Sequence, residues 1–172
     1  MHLGLDLGTS GVKAVLLGDS GKVVAQASVP IPISHPHPSW SEQDPEDWWH
    51  AAFTAIGKLR PDHDLFQVRG IGVSGQMHGA VLLDAGDRVL RPAILWNDGR
   101  ARAECVALEA AEPRSRAITG NLAMPGFTAP KLLWIREHEP DLFALVRRVL
   151  LPKDWLRLRM TGEAISDMSD AA

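Results

Sequence analysis

Gly4-Leu5-Asp6-Leu7-Gly8-Thr9-Ser10-Gly11-Val12-Lys13 sets one carboxylate and two hydroxyls in a glycine-rich turn between two apolar, strand-like runs. Leu3, Leu5 and Leu7 alternate before the turn, and Val12, Ala14, Val15 and Leu16 follow it, a pattern that predicts two short strands joined by a tight hairpin. Gly8 and Gly11 let the turn bend sharply and expose its N–H groups, an arrangement suited to an anion. Asp6 is too costly to bury alone on an apolar strand, so it is expected near the strand end, facing water or a cation. A plain hairpin carrying an exposed aspartate accounts for these ten residues equally well.

Outward from the turn, residues 22–29 form a third β-type run after Gly18-Asp19-Ser20-Gly21, and the short connections predict an antiparallel three-strand meander. Pro30, Pro32, Pro36 and Pro38 hold the next stretch extended across the surface. A helix is expected over 44–59, with Asp44 as N-cap, Pro45 at the first helical position, and Trp48, Ala52, Ala55, Ile56 and Leu59 at helical spacing. Residues 68–75 read as a buried strand that delivers Gln76-Met77-His78-Gly79 to its end. Residues 81–83, 89–90 and 93–95, with a turn at 84–87, predict a small antiparallel insertion ending at Trp96-Asn97-Asp98-Gly99-Arg100. Helices are expected over 101–112, 113–118, 128–138 and 152–160, with a short strand within 146–151. The class is α/β, a mixed sheet with helices packed on its faces.

The 172 residues suffice for one well-cored domain, 45% of them hydrophobic and 23% charged, and no apolar run approaches the ~20 residues a membrane helix needs. No membrane association is expected, and without a basic, apolar leader the expected location is cytoplasmic. The single cysteine, Cys105, excludes an intrachain disulfide and a cysteine-based zinc site. A net charge of −3 argues against nucleic acid as a partner, because that affinity rests on a basic surface. A small molecule is the expected partner. Oligomeric state stays open, a homodimer included.

The opening turn matches neither the Gly-x-x-x-x-Gly-Lys-Ser/Thr nor the Gly-x-Gly-x-x-Gly phosphate loop. Its Asp-x-Gly-Thr-Ser-Gly resembles instead the first phosphate motif of the actin-like ATPase (ribonuclease H-like) fold. Three further segments, Trp40-Ser41-Glu42-Gln43-Asp44-Pro45, Ser74-Gly75-Gln76-Met77-His78-Gly79 and Trp96-Asn97-Asp98-Gly99-Arg100, occur in the order found in the N-terminal half of the FGGY carbohydrate kinases. Pro125-Gly126-Phe127-Thr128-Ala129-Pro130-Lys131-Leu132 and Leu151-Pro152-Lys153-Asp154 extend the likeness, strongest to the xylulokinase branch, across residues 1–172. The resemblance implies ATP and Mg²⁺ as cofactors and D-xylulose as the sugar. It makes Asp6 the metal-proximal carboxylate, Gly8, Thr9, Ser10 and Gly11 the phosphate cradle with Lys13 nearby, and Gln76, Met77 and His78 the sugar-contacting segment, with Asp98 supporting it.

The physical chemistry agrees: imidazole offers a ketose one donor and one acceptor, and methionine an apolar wall for the carbon skeleton. Glycerol kinases carry an Arg-Glu pair in the segment that here reads Gln76-Met77-His78, which counts against glycerol. In this family the general base is an aspartate in a Gly-Gly-Asp segment and the adenosine pocket lies mainly in a second lobe. No Gly-Gly-Asp occurs in residues 1–172. The chain is therefore expected to be a truncated N-terminal domain, inactive alone. A non-catalytic sugar-binding module, a nucleotide-binding relative without a sugar site, and a kinase for another ketose such as ribulose are the alternatives. Bland readings suit the remaining polar groups: a solvated helix start at 96–100, a surface loop at His35-Pro36-His37, solvated helix surface at Glu137-His138-Glu139, and a charged helix face for Arg147, Arg148, Lys153, Arg157 and Arg159.

Overall fold

A computed structural model describes residues 1–170; Ala171 and Ala172, the end of the expected domain, lie outside them. β1 (His2–Leu7), β2 (Gly11–Leu17) and β3 (Val23–Pro30) form the expected antiparallel meander. Strand alternation divides its two faces: Leu3, Leu5, Leu7, Val12, Ala14 and Leu16 are buried, while His2, Asp6 and Lys13 point to the opposite, open face. Gly11 carries the hairpin close to β3; a Cβ there would lie 2.6 Å from the Val29 carbonyl oxygen.

After β4 (Glu42–Gln43), α1 (Pro45–Gly57) crosses the covered face of the meander. Its start is set by Asp44, whose carboxylate accepts the Glu46 N–H at 3.0 Å, with Pro45 at the first helical position. The helix buries Trp48, Ala51, Ala52 and Ala55. β5 (Ile71–Gly75) then pairs in parallel with β1, giving a mixed sheet in the order β3-β2-β1-β5. The α/β class and the mixed sheet are as expected.

β6 (Val81–Leu83) and β7 (Ala93–Ile94) precede the helices α2 (Arg102–Ala111), α3 (Ser115–Thr119), α4 (Thr128–His138) and α5 (Pro140–Leu145). β8 (Arg148–Leu150) and α6 (Pro152–Thr161) follow. α6 docks on α1, where Trp48 and Trp155 meet edge to face at 6.0 Å in a core shared with Leu7, Val12, Val81 and Leu95.

Two expectations need correction, and one helix lies beyond local pattern. β5 is an edge strand, with Ile71 50% exposed; its apolar run reads as buried, yet among the described residues β1 is its only strand partner. Residues 81–95 form no self-contained insertion, because β6 pairs with β8 and β7 with β4, leaving single bridges at Leu83–Val89 and Ala80–Ile94. Alternation marks a strand and is silent about a partner some sixty residues away. α5, six residues long, is too short to show a helical period.

Substituting Gly11→Ala would force a methyl against ladder backbone that cannot retreat without breaking β2–β3 pairing. Urea denaturation should show a loss of about 1–3 kcal/mol, with the slope unchanged.

Candidate functional site

β1 and β5 run in parallel and end side by side, so the turn after one and the segment after the other share an edge of the sheet. Asp6 lies in register with Lys13 on one side and Ser74 on the other, all on the open face. The Asp6 carboxylate is exposed and engages no donor or cation among the described residues. Lys13 is exposed as well. In the turn, Gly8 N–H donates to the Gly11 carbonyl at 3.0 Å and the Ser10 carbonyl accepts from Ile31 N–H at 3.1 Å. Among the described residues, the N–H groups of Thr9 and Ser10 reach no protein acceptor, so both remain available to an anion.

Beneath the turn lies a buried amide network. The Thr9 hydroxyl donates to Gln76 Oε1 at 3.1 Å and accepts the Trp96 indole N–H at 2.9 Å. Gln76 Nε2 donates to Gln43 Oε1 at 3.0 Å, an oxygen that also accepts the Trp48 indole at 3.0 Å. Gln43 Nε2 returns to the Thr9 carbonyl at 2.7 Å and the Pro32 carbonyl at 3.1 Å, and Gln76 N–H donates to the Leu7 carbonyl at 2.7 Å. Thr9 thus faces inward through its hydroxyl and outward through its N–H, while Ser10 is exposed. Local sequence marks none of Gln43, Trp48 and Trp96 as a site residue. A glutamine beside a helix cap and a tryptophan at helical spacing read as cap and core, and only the fold brings them under the turn.

Met77 is 53% exposed at the rim of a cleft of about 440 Å³ bordered by Ser74, Gly75, His78 and Lys153. His78 is half-buried, its ring 4.6 Å from that of Phe127, and it also borders an apolar cavity of about 460 Å³ lined by Leu108, Leu122, Phe127 and Val149. Burial holds the His78 imidazole below its ordinary pKa, reinforced by Lys131 and opposed by Asp170. Lys131 is fully buried, and its Nζ donates to the carbonyls of His78 at 2.8 Å and Ile94 at 3.2 Å with no carboxylate in ion-pair range among the described residues. Burial pushes Lys131 down to about 7, with Asp98 opposing the shift and Arg100 adding to it. The sequence offered no sign that this lysine is interior.

Asp98 stands apart from the cleft. Buried to 2% exposure, it accepts Ser41 N–H at 2.6 Å, Arg100 N–H at 2.9 Å, and the Arg100 guanidinium at 2.9 and 2.8 Å. Arg100 also pairs with Glu42 at 2.7 Å and stacks 3.7 Å over Trp40. Glu42 bonds Arg91, which reaches Glu139 at 2.6 Å. Asp98 and Arg100 therefore belong to no solvated helix start, although Trp96 and Asn97 are exposed, and α2 begins at Arg102 with Ala101 ahead of it offering no side-chain cap. Glu139 leaves the solvated helix surface for the same ion cluster. Lys153 departs from the charged helix face too. Burial works against its charge, but the hydrogen bonds it donates to Asp154 and Asp167 outweigh that and hold its ammonium above the usual range, with Asp170 also in contact. Arg157 and Arg159 keep to the helix face, pairing with Glu163 and Glu46. His35 and His37 lie in an exposed loop.

A family model described as the N-terminal domain of the FGGY family of carbohydrate kinases matches residues 1–172. A xylulose kinase of Escherichia coli K12 is 63% identical over 172 residues, 100% of this chain and 36% of that protein. A crystal structure described as a xyloylose kinase from Brucella ovis superposes with a TM-score of 0.96 at 59% identity, over 99% of this chain and 36% of the other. A xylulose kinase structure from Rhodospirillum rubrum gives 0.91 at 37% identity, over 99% and 36%. The chain thus spans about a third of the length of the relatives it matches. Among the described residues no helix is long and apolar enough to cross a membrane.

The state of Lys131 sets a pH dependence. Its folded pKa lies near 7 against about 10.4 unfolded, so between those values the unfolded chain binds a proton the native chain lacks, and stability rises with pH. Denaturant midpoints measured from pH 7 to pH 10 should climb for the native sequence relative to Lys131→Met, and the difference should be flat below pH 7.

Proposed function

Since the chain belongs to the FGGY family of carbohydrate kinases, we propose that it forms the sugar-binding part of an ATP-dependent kinase that converts D-xylulose to D-xylulose 5-phosphate in the cytoplasm. One observation carries the reading: the Trp96–Thr9–Gln76 hydrogen bonds that lock the anion-ready turn to the segment bearing Met77 and His78. A kinase has to hold a phosphate and a hydroxyl in fixed relation, and a hydrogen-bonded link between the two binding elements, anchored in the buried amides of Gln76 and Gln43, supplies that.

In this reading the N–H groups of Thr9 and Ser10, in the turn shaped by Gly8 and Gly11, bind phosphate oxygens, and Lys13 adds positive charge on the same face. The exposed, unpartnered Asp6 carboxylate is the oxygen donor a hard divalent cation prefers. Mg²⁺, when bound, would supply neutralisation of phosphate charge. Met77 walls the carbon skeleton of the sugar and the His78 imidazole bonds its hydroxyls. Gln76 sits behind them and transmits the position of Thr9. Asp98 acts at one remove, by holding Ser41 and Arg100. The general base and most of the adenosine pocket are proposed to come from residues outside 1–172, since no Gly-Gly-Asp segment lies within them.

Calorimetry with D-xylulose should show binding to the chain. Binding of Mg-ATP alone, with no sugar response, would favour a nucleotide-binding relative instead. A coupled ADP-release assay on residues 1–172 should show no turnover, a base being worth 10²–10⁴-fold and closure of two lobes more; kinase-level turnover would refute the division of labour. In the complete gene product, Asp6→Ala should abolish phosphoryl transfer while sugar affinity persists, and a near-normal kcat would remove Asp6 from the metal site.

A further inference from the structure

His78 occupies a backbone conformation that its residue type avoids. Its φ is 61°, and Gly79 N–H donates to the Met77 carbonyl at 2.8 Å, so His78 is the centre of a three-residue γ-turn of the strained, positive-φ kind. Such a conformation persists only where the surroundings over-determine it. Here they do so from two directions. On one side Gly79 lies so close to Pro152 that a Cβ would stand 2.5 Å from the proline Cγ. On the other, the His78 carbonyl accepts two side-chain donors from the first turns of α4, Lys131 Nζ at 2.8 Å and Thr128 Oγ1 at 3.1 Å. Lys131 reaches Ile94 as well, whose carbonyl takes Ala80 N–H at 3.0 Å, so one amine grips residues 78–80 and β7 together.

We infer that Lys131 and Thr128 are positioning residues of the sugar site: they hold the His78 carbonyl and thereby the left-handed backbone that presents its imidazole to the cleft. The inference rests on the reading of His78 given above and extends it to two residues of α4 that hold the His78 backbone. Three features separate this role from ordinary core filling. A lysine interior to the protein with no carboxylate partner is costly unless its polar head has a task, and its bonds go to the carbonyl of the strained residue and to that of Ile94, which pairs with Ala80 just after it. A neutral amine keeps two N–H donors, enough for both carbonyls, so the clamp survives the low pKa that burial imposes. Two donors from adjacent turns of one helix meet on a single oxygen, and that oxygen belongs to the strained residue. The Phe127 ring, packed against the imidazole, completes the support from the residue just before α4.

The test is D-xylulose affinity of the complete gene product, by calorimetry, in a double-mutant cycle. Thr128→Val, which removes one donor and keeps the shape, should weaken sugar binding roughly 3- to 10-fold, and Thr128→Ser should restore it. Lys131→Met should weaken it at least as much. His78→Ala should weaken it too, and in that background Thr128→Val should have no further effect, because its influence travels through His78. Additive losses in the double variant, or native affinity in Thr128→Val while His78→Ala binds poorly, would overturn the positioning role and leave the site reading standing. Native affinity in His78→Ala would overturn both. Should Lys131→Met fail to fold, the Thr128 and His78 cycle decides alone.

Discussion

The Thr9 hydroxyl, held between the Gln76 amide and the Trp96 indole, is the contact on which the candidate site depends. It has one proton to donate and uses it inward, so the turn from Gly8 to Gly11 is fixed from below and its N–H groups are left facing out. Gln43 closes the circuit by donating to the Thr9 carbonyl and accepting from Gln76 and Trp48. Each amide in this network is satisfied on the side that faces protein. In a low-dielectric interior, a satisfied network resists distortion because any shift strands a polar group at about 1–3 kcal/mol. The turn is thereby made rigid, although a glycine-rich hairpin alone would be mobile.

Charge is buried in two different ways around this node. Arg100, Asp98, Glu42, Arg91 and Glu139 share an ion cluster, with Arg100 stacked on Trp40. Such a cluster contributes little net stability compared with an apolar core, yet losing one member strands its partner at about 3–5 kcal/mol. Its effect is therefore to define which segments meet: 40–43, 91–100 and the end of α4. Lys131 follows the other course. Without a counterion its amine is held at a pKa near 7, far below the ordinary lysine value, and it directs its hydrogens to carbonyls. Both tie the segment from β6 to α2 to its neighbours, the ion cluster through β4 and the end of α4, the lysine through the first turns of α4.

Much of the fold could be read from local pattern. The meander, the Asp44 cap with Pro45, and the helices over 102–111, 128–138 and 152–161 follow from period, capping and proline placement, signals carried by a few neighbouring residues. Pairing over long separations was not legible: β6 with β8, β4 with β7, and the edge position of β5 depend on which surfaces remain after the core has closed. The site divides along the same line. Asp6, Ser10 and Met77 lie exposed where the turn and the strand end suggest. Glu139, just past α4, and Lys153, on α6, look solvated by composition, yet Glu139 meets Arg91 from far along the chain and Lys153 is ringed by Asp154, Asp167 and Asp170.

By itself the sequence determined the α/β class, the glycine-rich turn with its aspartate, and the segment Gln76-Met77-His78 after a strand, because each rests on contacts between near neighbours. Only the tertiary structure decided that Thr9 points inward, that Asp98 is sealed within an ion cluster, and that Lys131 holds the His78 carbonyl. Those outcomes depend on desolvation, and whether a polar group is desolvated is set by the elements that close over it, not by the residues beside it.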